Sequence, residues 1–161
     1  MKWVTRERPK IDRIACPWLV VRFIDADAEF LYVAPDKVLT TAAQTGAIAY
    51  DVPNVALSHV GELCSFDAFL NKYGLTDPAL QKLALIVRGA DTDRLDLAPQ
   101  AAGLLAISLG LVHNITDDHA LLQQGLILYD ALYRWCQEAH PERHQWTYPS
   151  QTIPGSCGGP Q

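Results

Sequence analysis

Four side chains able to bind a metal or carry a proton, His59, Glu62, Cys64 and Asp67, lie within the stretch Ser58-His59-Val60-Gly61-Glu62-Leu63-Cys64-Ser65-Phe66-Asp67. Imidazole, carboxylate and thiolate are all ligands of first-row metals, and a His with carboxylates suits iron, manganese or zinc. On a helical turn His59 and Glu62 would share a face, and Gly61 allows a tight backbone there. One such segment need not fill a coordination sphere alone. The expected set is therefore His59, Glu62 and Cys64, completed by Asp91 from a second polar cluster, Arg88-Gly89-Ala90-Asp91-Thr92-Asp93. The opposing reading makes the His and Glu solvated or capping groups, Cys64 a small core residue and Asp67 a first-turn helix charge.

A third cluster, Asp12-Arg13-Ile14-Ala15-Cys16-Pro17-Trp18, lies near the N-terminus. With Pro17 at the first helical position, the Cys16 thiol would sit at a helix N-terminus, where the dipole and Arg13 favour thiolate. Cys16 is then a candidate nucleophile or redox thiol. In the plainer alternative it packs in the core while Asp12 and Arg13 form a buried ion pair. Arg88 is the first candidate for gripping an anion, since a guanidinium fork matches two oxygens of a tetrahedral oxyanion; Arg13 would supply a second fork. Pairing of Arg88 with Asp91 or Asp93 is the competing structural role. Asp130, set among Tyr129, Leu132 and Tyr133, needs a partner if buried. His119, Asp117 and Asp118 read as an exposed first turn, and His113, His140 and His144 as surface residues.

The elements that would position these groups follow from periodicity and punctuation. Residues 3–8 read as extended; a helix runs from Pro17 to Ile24, a strand over 28–33, a helix over 36–45 closed by Gly46, and a strand over 47–52. Ser65 caps a helix ending at Gly74, and Asp77-Pro78 opens another that stops near Gly89. The nearly all-apolar helix from Pro99 or Gln100 is expected to be central, and a last helix starts at Thr116. The fold class is α+β, helix-dominant, with a small sheet of short strands on a bundle of about five or six helices. Residues 1–146 form a single domain and 147–161 a flexible tail rich in Pro and Gly.

Whole-chain properties narrow the function classes. At 161 residues, with 49% hydrophobic and 19% charged residues, the composition is that of one compact domain. No apolar run is long enough to span a bilayer. The N-terminus lacks a signal-like apolar core, so a cytoplasmic location is expected. Four Cys without a CxxC pair argue against a disulfide framework or a closed zinc finger. The net charge of −5 argues against duplex DNA as a partner. There is no GxSxG, no HExxH and no Gly-rich phosphate loop.

In sequence, Ile11-Asp12-Arg13-Ile14-Ala15-Cys16-Pro17-Trp18-Leu19, Tyr50-Asp51-Val52-Pro53, Ser58-His59 through Phe66-Asp67, Asp77-Pro78-Ala79-Leu80, Ile86-Val87-Arg88-Gly89-Ala90-Asp91-Thr92 and Leu128-Tyr129-Asp130-Ala131-Leu132-Tyr133 resemble the family named for the C-terminal domain of the chromate-resistance protein ChrB. The resemblance implies a role in bacterial chromate resistance, with a small oxyanion such as chromate as ligand. It also implies a rhodanese-like sulfurtransferase partner, because relatives occur fused to such domains. Longer members carry a preceding N-terminal domain, so a DNA-binding regulatory role is not expected of this shorter form. The resulting expectation is a metal-dependent redox or detoxification protein, with a divalent first-row ion beside an Arg-lined anion pocket. The alternative is an oxyanion-sensing module without catalysis.

Overall fold

The computed structural model describes residues 1–138. The proposed tail over 147–161, the domain boundary at 146, and His140, His144 and Cys157 lie outside the described residues. Within them the chain runs β1 (Lys2–Arg6), α1 (Asp12–Phe23), β2 (Glu29–Val33), α2 (Val38–Thr45), β3 (Ile48–Ala49), α3 (Ser65–Tyr73), α4 (Pro78–Asp91), α5 (Ala101–Asn114) and α6 (Asp118–Glu138). Short 3-10 turns occupy Pro35–Lys37 and Leu95–Leu97. The fold is helix-dominant α+β.

The three strands are parallel in the order β2-β1-β3. Parallel neighbours require crossovers, and α1 and α2 supply them. The central strand is covered on both faces, so Trp3, Val4 and Thr5 are all fully buried. Side chains alternate along a strand: Trp3 enters the main core with Phe69 and Leu70, whereas Val4 packs in a smaller cluster with Val38, Ala47 and Val52. The C-terminal ends of β1 and β3 then open toward the polar loops.

Several local signals take the form expected of them. Gly46 and Gly74 close α2 and α3 at φ 71° and 61°. The Asp77 carboxylate accepts from Ala79 N (2.6 Å) and Leu80 N (3.3 Å), with Pro78 at the first helical position. Cys64, one residue earlier than expected, is the N-cap of α3, and Asp67 reaches back to accept from its backbone N–H at 3.0 Å.

Other expectations are corrected. Helix α1 begins at Asp12, not Pro17, so Pro17 lies inside it. A proline there deprives the carbonyl four residues back of its N–H donor. That carbonyl belongs to Arg13, and the Tyr32 hydroxyl of β2 donates to it at 3.4 Å. Strand β3 has two residues rather than six, because Asp51 turns the backbone to φ 53°. Helix α4 passes through Gly89 to Asp91: a Cβ at Gly89 would stand 2.8 Å from that of Ala101, so this glycine serves the close approach of α4 and α5. Helix α5 is peripheral rather than central, burying only Ala101, Leu104 and Ser108 and exposing Ile107 and Leu109.

Candidate metal centre

Three chain segments meet at the N-terminus of α3. The first carries Asp12, the opening residue of α1, which follows Ile11 at φ 47°. Only 1% exposed, the Asp12 carboxylate accepts from Ser65 N at 2.6 Å and Phe66 N at 3.3 Å. It thus supplies acceptors to the free N–H groups of α3, where a negative charge is favoured. The second segment carries Asp51, just past β3. Its Oδ1 accepts from Ser65 Oγ at 2.8 Å, while Oδ2 lies 2.8 Å from Arg6 Nη2 and 3.4 Å from Arg13 Nε. The third element is the end of α4, which projects Asp91.

His59 projects into the middle of these acids. Its Nε2 is 3.1 Å from Asp91 Oδ2, 3.4 Å from Asp51 Oδ1 and 3.6 Å from Asp12 Oδ2. The imidazole is 41% exposed, so the cluster is reached from solvent through it. One potential ligand atom from each of Asp12, His59 and Asp91 lies within 4.8 Å of the others. Positive-φ residues accompany each acid: Ile11 precedes Asp12, Asp51 is itself one, and Asp93 (φ 57°) follows Asp91 by two. Strained backbone of this kind persists where the surroundings over-determine it and concentrates at functional sites.

The electrostatics of the cluster are unbalanced. Burial pushes the Asp12 carboxyl well above the usual range; Asp91 and Asp51 push it further, and the Ser65 N–H opposes them. Burial, then Asp51, raises the Asp91 carboxyl, against the pull of His59. Arg13 is itself lowered, by burial and then by neighbouring Arg6. Like charges sharing a low-dielectric site destabilise one another unless a proton or a cation intervenes. A donor set of one imidazole and carboxylate oxygens fits a divalent first-row ion. Asp12, His59 and Asp91 are the residues able to hold it, with Asp51 oriented behind them by Ser65, Arg6 and Arg13.

The remaining candidates take other places. Glu62 is exposed on a tight turn in which Val60 and Leu63 exchange backbone hydrogen bonds of 3.0 Å and Gly61 adopts φ 59°. The turn is not helical, so Glu62 stands across an open cleft from His59 and Asp91 and outside the ligand group. Cys64 is buried with its Sγ 3.3 Å from Asp67 Oδ2, and burial raises its thiol strongly. Cys16 lies in the second turn of α1, fully buried, its thiol raised by burial and then by Asp12. The thiolate expected at a helix N-terminus is therefore not favoured. Arg88 does not face the cluster with a free fork: Nε and Nη2 bind Asp67 at 2.9 and 2.6 Å. Arg13 pairs with Asp51 rather than Asp12, and its Nη1 donates to the carbonyls of Arg6 and Glu7.

The sequence reading singled out His59 and Asp91, and these two meet. It missed Asp12 and Asp51 as members of the cluster. Their signal was available, since both are single acids beside large apolar residues (Ile11-Asp12, Tyr50-Asp51-Val52) and both are buried.

The sheet, its covering helices and the acid-rich junction do not by themselves name a family; comparison with known proteins does. Residues 3–136 match the family described as ChrB, C-terminal domain, and the chain belongs to that family. It is similar to Protein ChrB of Cupriavidus metallidurans, with 31% identity over 133 residues. The match covers 82% of this chain but 40% of that relative's length. No solved structure matches the chain. Among the described residues no helix is long and apolar enough to cross a membrane.

Proposed function

We propose that this domain serves chromate resistance as a metal-dependent protein. Asp12, His59 and Asp91 hold one divalent first-row ion, and the bound oxyanion reaches it from the open side of His59. The observation that carries this reading is the convergence of Nε2 of His59 with two carboxylates, the buried Asp12 of α1 and the half-buried Asp91 of α4. The oxygen-rich set favours manganese or iron over the thiolate sites that select structural zinc. When bound, such an ion supplies Lewis acidity toward an oxygen ligand. The chain's own contribution is to orient the ligands: Ser65 and Phe66 N–H groups fix Asp12, and Arg6, Arg13 and Ser65 fix Asp51.

Cys16 and Cys64 are buried and held as thiols, so neither supplies a ready electron donor at the cluster. Any reduction of chromate would draw its electrons from a separate reductant. Elemental analysis of protein purified without chelator tests the proposal. Wild type is expected to retain close to one equivalent of manganese or iron and to regain it after chelation and reloading. His59→Ala and Asp91→Asn are expected to lose at least tenfold in affinity. Equal metal content in wild type and both variants would overturn it, and oxyanion binding without metal would leave the sensing module as the better account.

A further inference from the structure

We propose that the outer face of α5, with the adjoining edge of α6, is a docking surface for a second copy of this chain. Two copies meet there about a two-fold axis, α5 against α5, with the α6 helices alongside. The inference does not rest on the metal reading.

Helix α5 is apolar on all sides, yet its own chain buries only one edge of it. A helix of that kind is ordinarily buried all round. Its 14 residues include no Asp, Glu, Lys or Arg, and Ile107 and Leu109 stand 50% and 38% exposed. On α6, Ile127 and Trp135 stand 65% and 47% exposed. The two helices flank a groove of about 340 Å³, lined by Gln100 at the start of α5 and by Leu128, Ala131, Leu132 and Trp135 of α6. Leu128 also lines the small cavity that Ser108 and Leu111 of α5 share with Gly125 of α6, so the helices run side by side.

Among the described residues, the helical glycines are of two kinds. A Cβ at Gly89 would stand 2.8 Å from that of Ala101, and one at Gly125 would strike Ile14 of α1, so each serves a close contact within the chain. A Cβ at Gly103 or Gly110 would meet nothing within 4 Å. Glycine weakens a helix relative to alanine, and no contact among the described residues accounts for these two. Seven positions apart, they share one face of α5 with Ala106 between them. Small residues there let a second helix axis come close, with Ile107 and Leu109 as walls on either side.

Charge selects the occupant. The chain carries a net −5, and a two-fold contact sets each patch against itself, so a charged patch would meet its own sign. From Ala101 to Tyr133 the only formal charges are Asp117, Asp118 and Asp130. Asp117 accepts from Ala120 N at the start of α6, Asp118 pairs with Arg8, and Asp130 is held by Arg22 and Trp18 of α1. This face therefore meets its own copy without repulsion, and it carries no charge by which a different partner would be steered or selected. From their exposures, its apolar residues present roughly 600 Å² per copy, so two copies bury about 1,200 Å², the lower end for specific interfaces. The dimer is accordingly a reversible one.

The test is sedimentation of the full chain over a wide range of concentration, with and without chelator. A reversible monomer–dimer equilibrium in the micromolar range is expected under both conditions, weakened at least tenfold in Ala106→Arg. Ala106 is exposed, so that variant should keep the wild-type helix content and melting temperature when dilute. Ala106→Cys gives a second readout that survives a folding defect in the first. Near the two-fold axis it faces its own copy, and with glutathione disulfide it should crosslink at least tenfold faster than wild type or than Leu39→Cys, which is exposed on α2. A monomer at every concentration, a dimer that Ala106→Arg leaves intact, or equal crosslinking at residues 106 and 39 overturns the proposal. A monomer in which residues 139–161 give nuclear Overhauser contacts to α5 also overturns it and assigns the face to that segment instead.

Discussion

Two groups of buried acid lie on either side of the α3 N-terminus, and they are solved differently. Asp67 faces a single arginine that matches it fork to fork, and it accepts from the Cys64 backbone N–H besides. Every charge there has a partner. Asp12, Asp51 and Asp91 instead converge on one imidazole, with Arg13 and Arg6 both directed at Asp51 alone. A matched pair holds structure together; a surplus of acid in a half-buried site is a standing invitation to a cation. The same stretch of backbone, Cys64-Ser65-Phe66, serves both, because its N–H groups bind Asp67 on one side and Asp12 on the other.

The contrast is broken most forcefully at the matched pair. Arg88→Ala leaves the 7%-exposed Asp67 without its counter-charge, and removing one partner of a buried pair costs about 3 kcal/mol. Urea unfolding should show that loss while metal content per folded molecule stays at the wild-type level. At the unmatched cluster the order of effects reverses. Asp12→Asn keeps an acceptor for Ser65, gives up the longer 3.3 Å bond from Phe66 N, and removes a repulsive charge. Metal affinity should fall at least tenfold, while the chelated variant unfolds no earlier than chelated wild type. A large loss of stability in the chelated variant would mean that Asp12 is held as a structural charge.

Linkage gives a third comparison. Manganese at a hundredfold over its dissociation constant should stabilise wild type by about 2.7 kcal/mol, seen as a rise in melting temperature that Arg88→Ala shares and His59→Ala lacks. The smallest effect belongs to the exposed pair of Arg22 and Asp130, joined at 2.9 and 2.7 Å with Trp18 Nε1 also donating. Arg22, and then Trp18, outweigh desolvation and hold the Asp130 carboxyl below its usual range. A depressed folded pKa contributes stability that is full above the unfolded value, about 4, and is lost as pH falls through the lower folded value. Both groups are more than a third exposed, so Arg22→Ala should cost only about 0.5 kcal/mol, and the difference should vanish in strongly acid unfolding curves.

How far the sequence disclosed all this depended on whether a signal was local. Asp77-Pro78, Gly46 and Gly74 act within one turn of themselves, and each sits where its chemistry requires. Pro17 misled because its cost is relieved from another strand, by Tyr32, which no window around residue 17 contains. The charge-free composition of α5 suggested depth, yet a helix's burial depends on what packs against it, and its neighbours cover only one edge. In the site, His59 and Asp91 stood out as ligand types beside glycine-bearing turns. Asp12 and Asp51 were visible as acids in apolar company, but their convergence is a product of the parallel crossovers. The partner of Arg88 was sought among adjacent acids and lies one helix away at Asp67.

The prospective ligands Asp12, His59 and Asp91 come from the beginning, middle and later part of the described chain, carried by α1, the loop before α3 and α4. No fragment short of that span contains all three. A captured ion would therefore act as a seal applied after assembly, tying together segments far apart along the chain. Proteolytic nicking between α1 and α4 should release it even where the helices themselves survive.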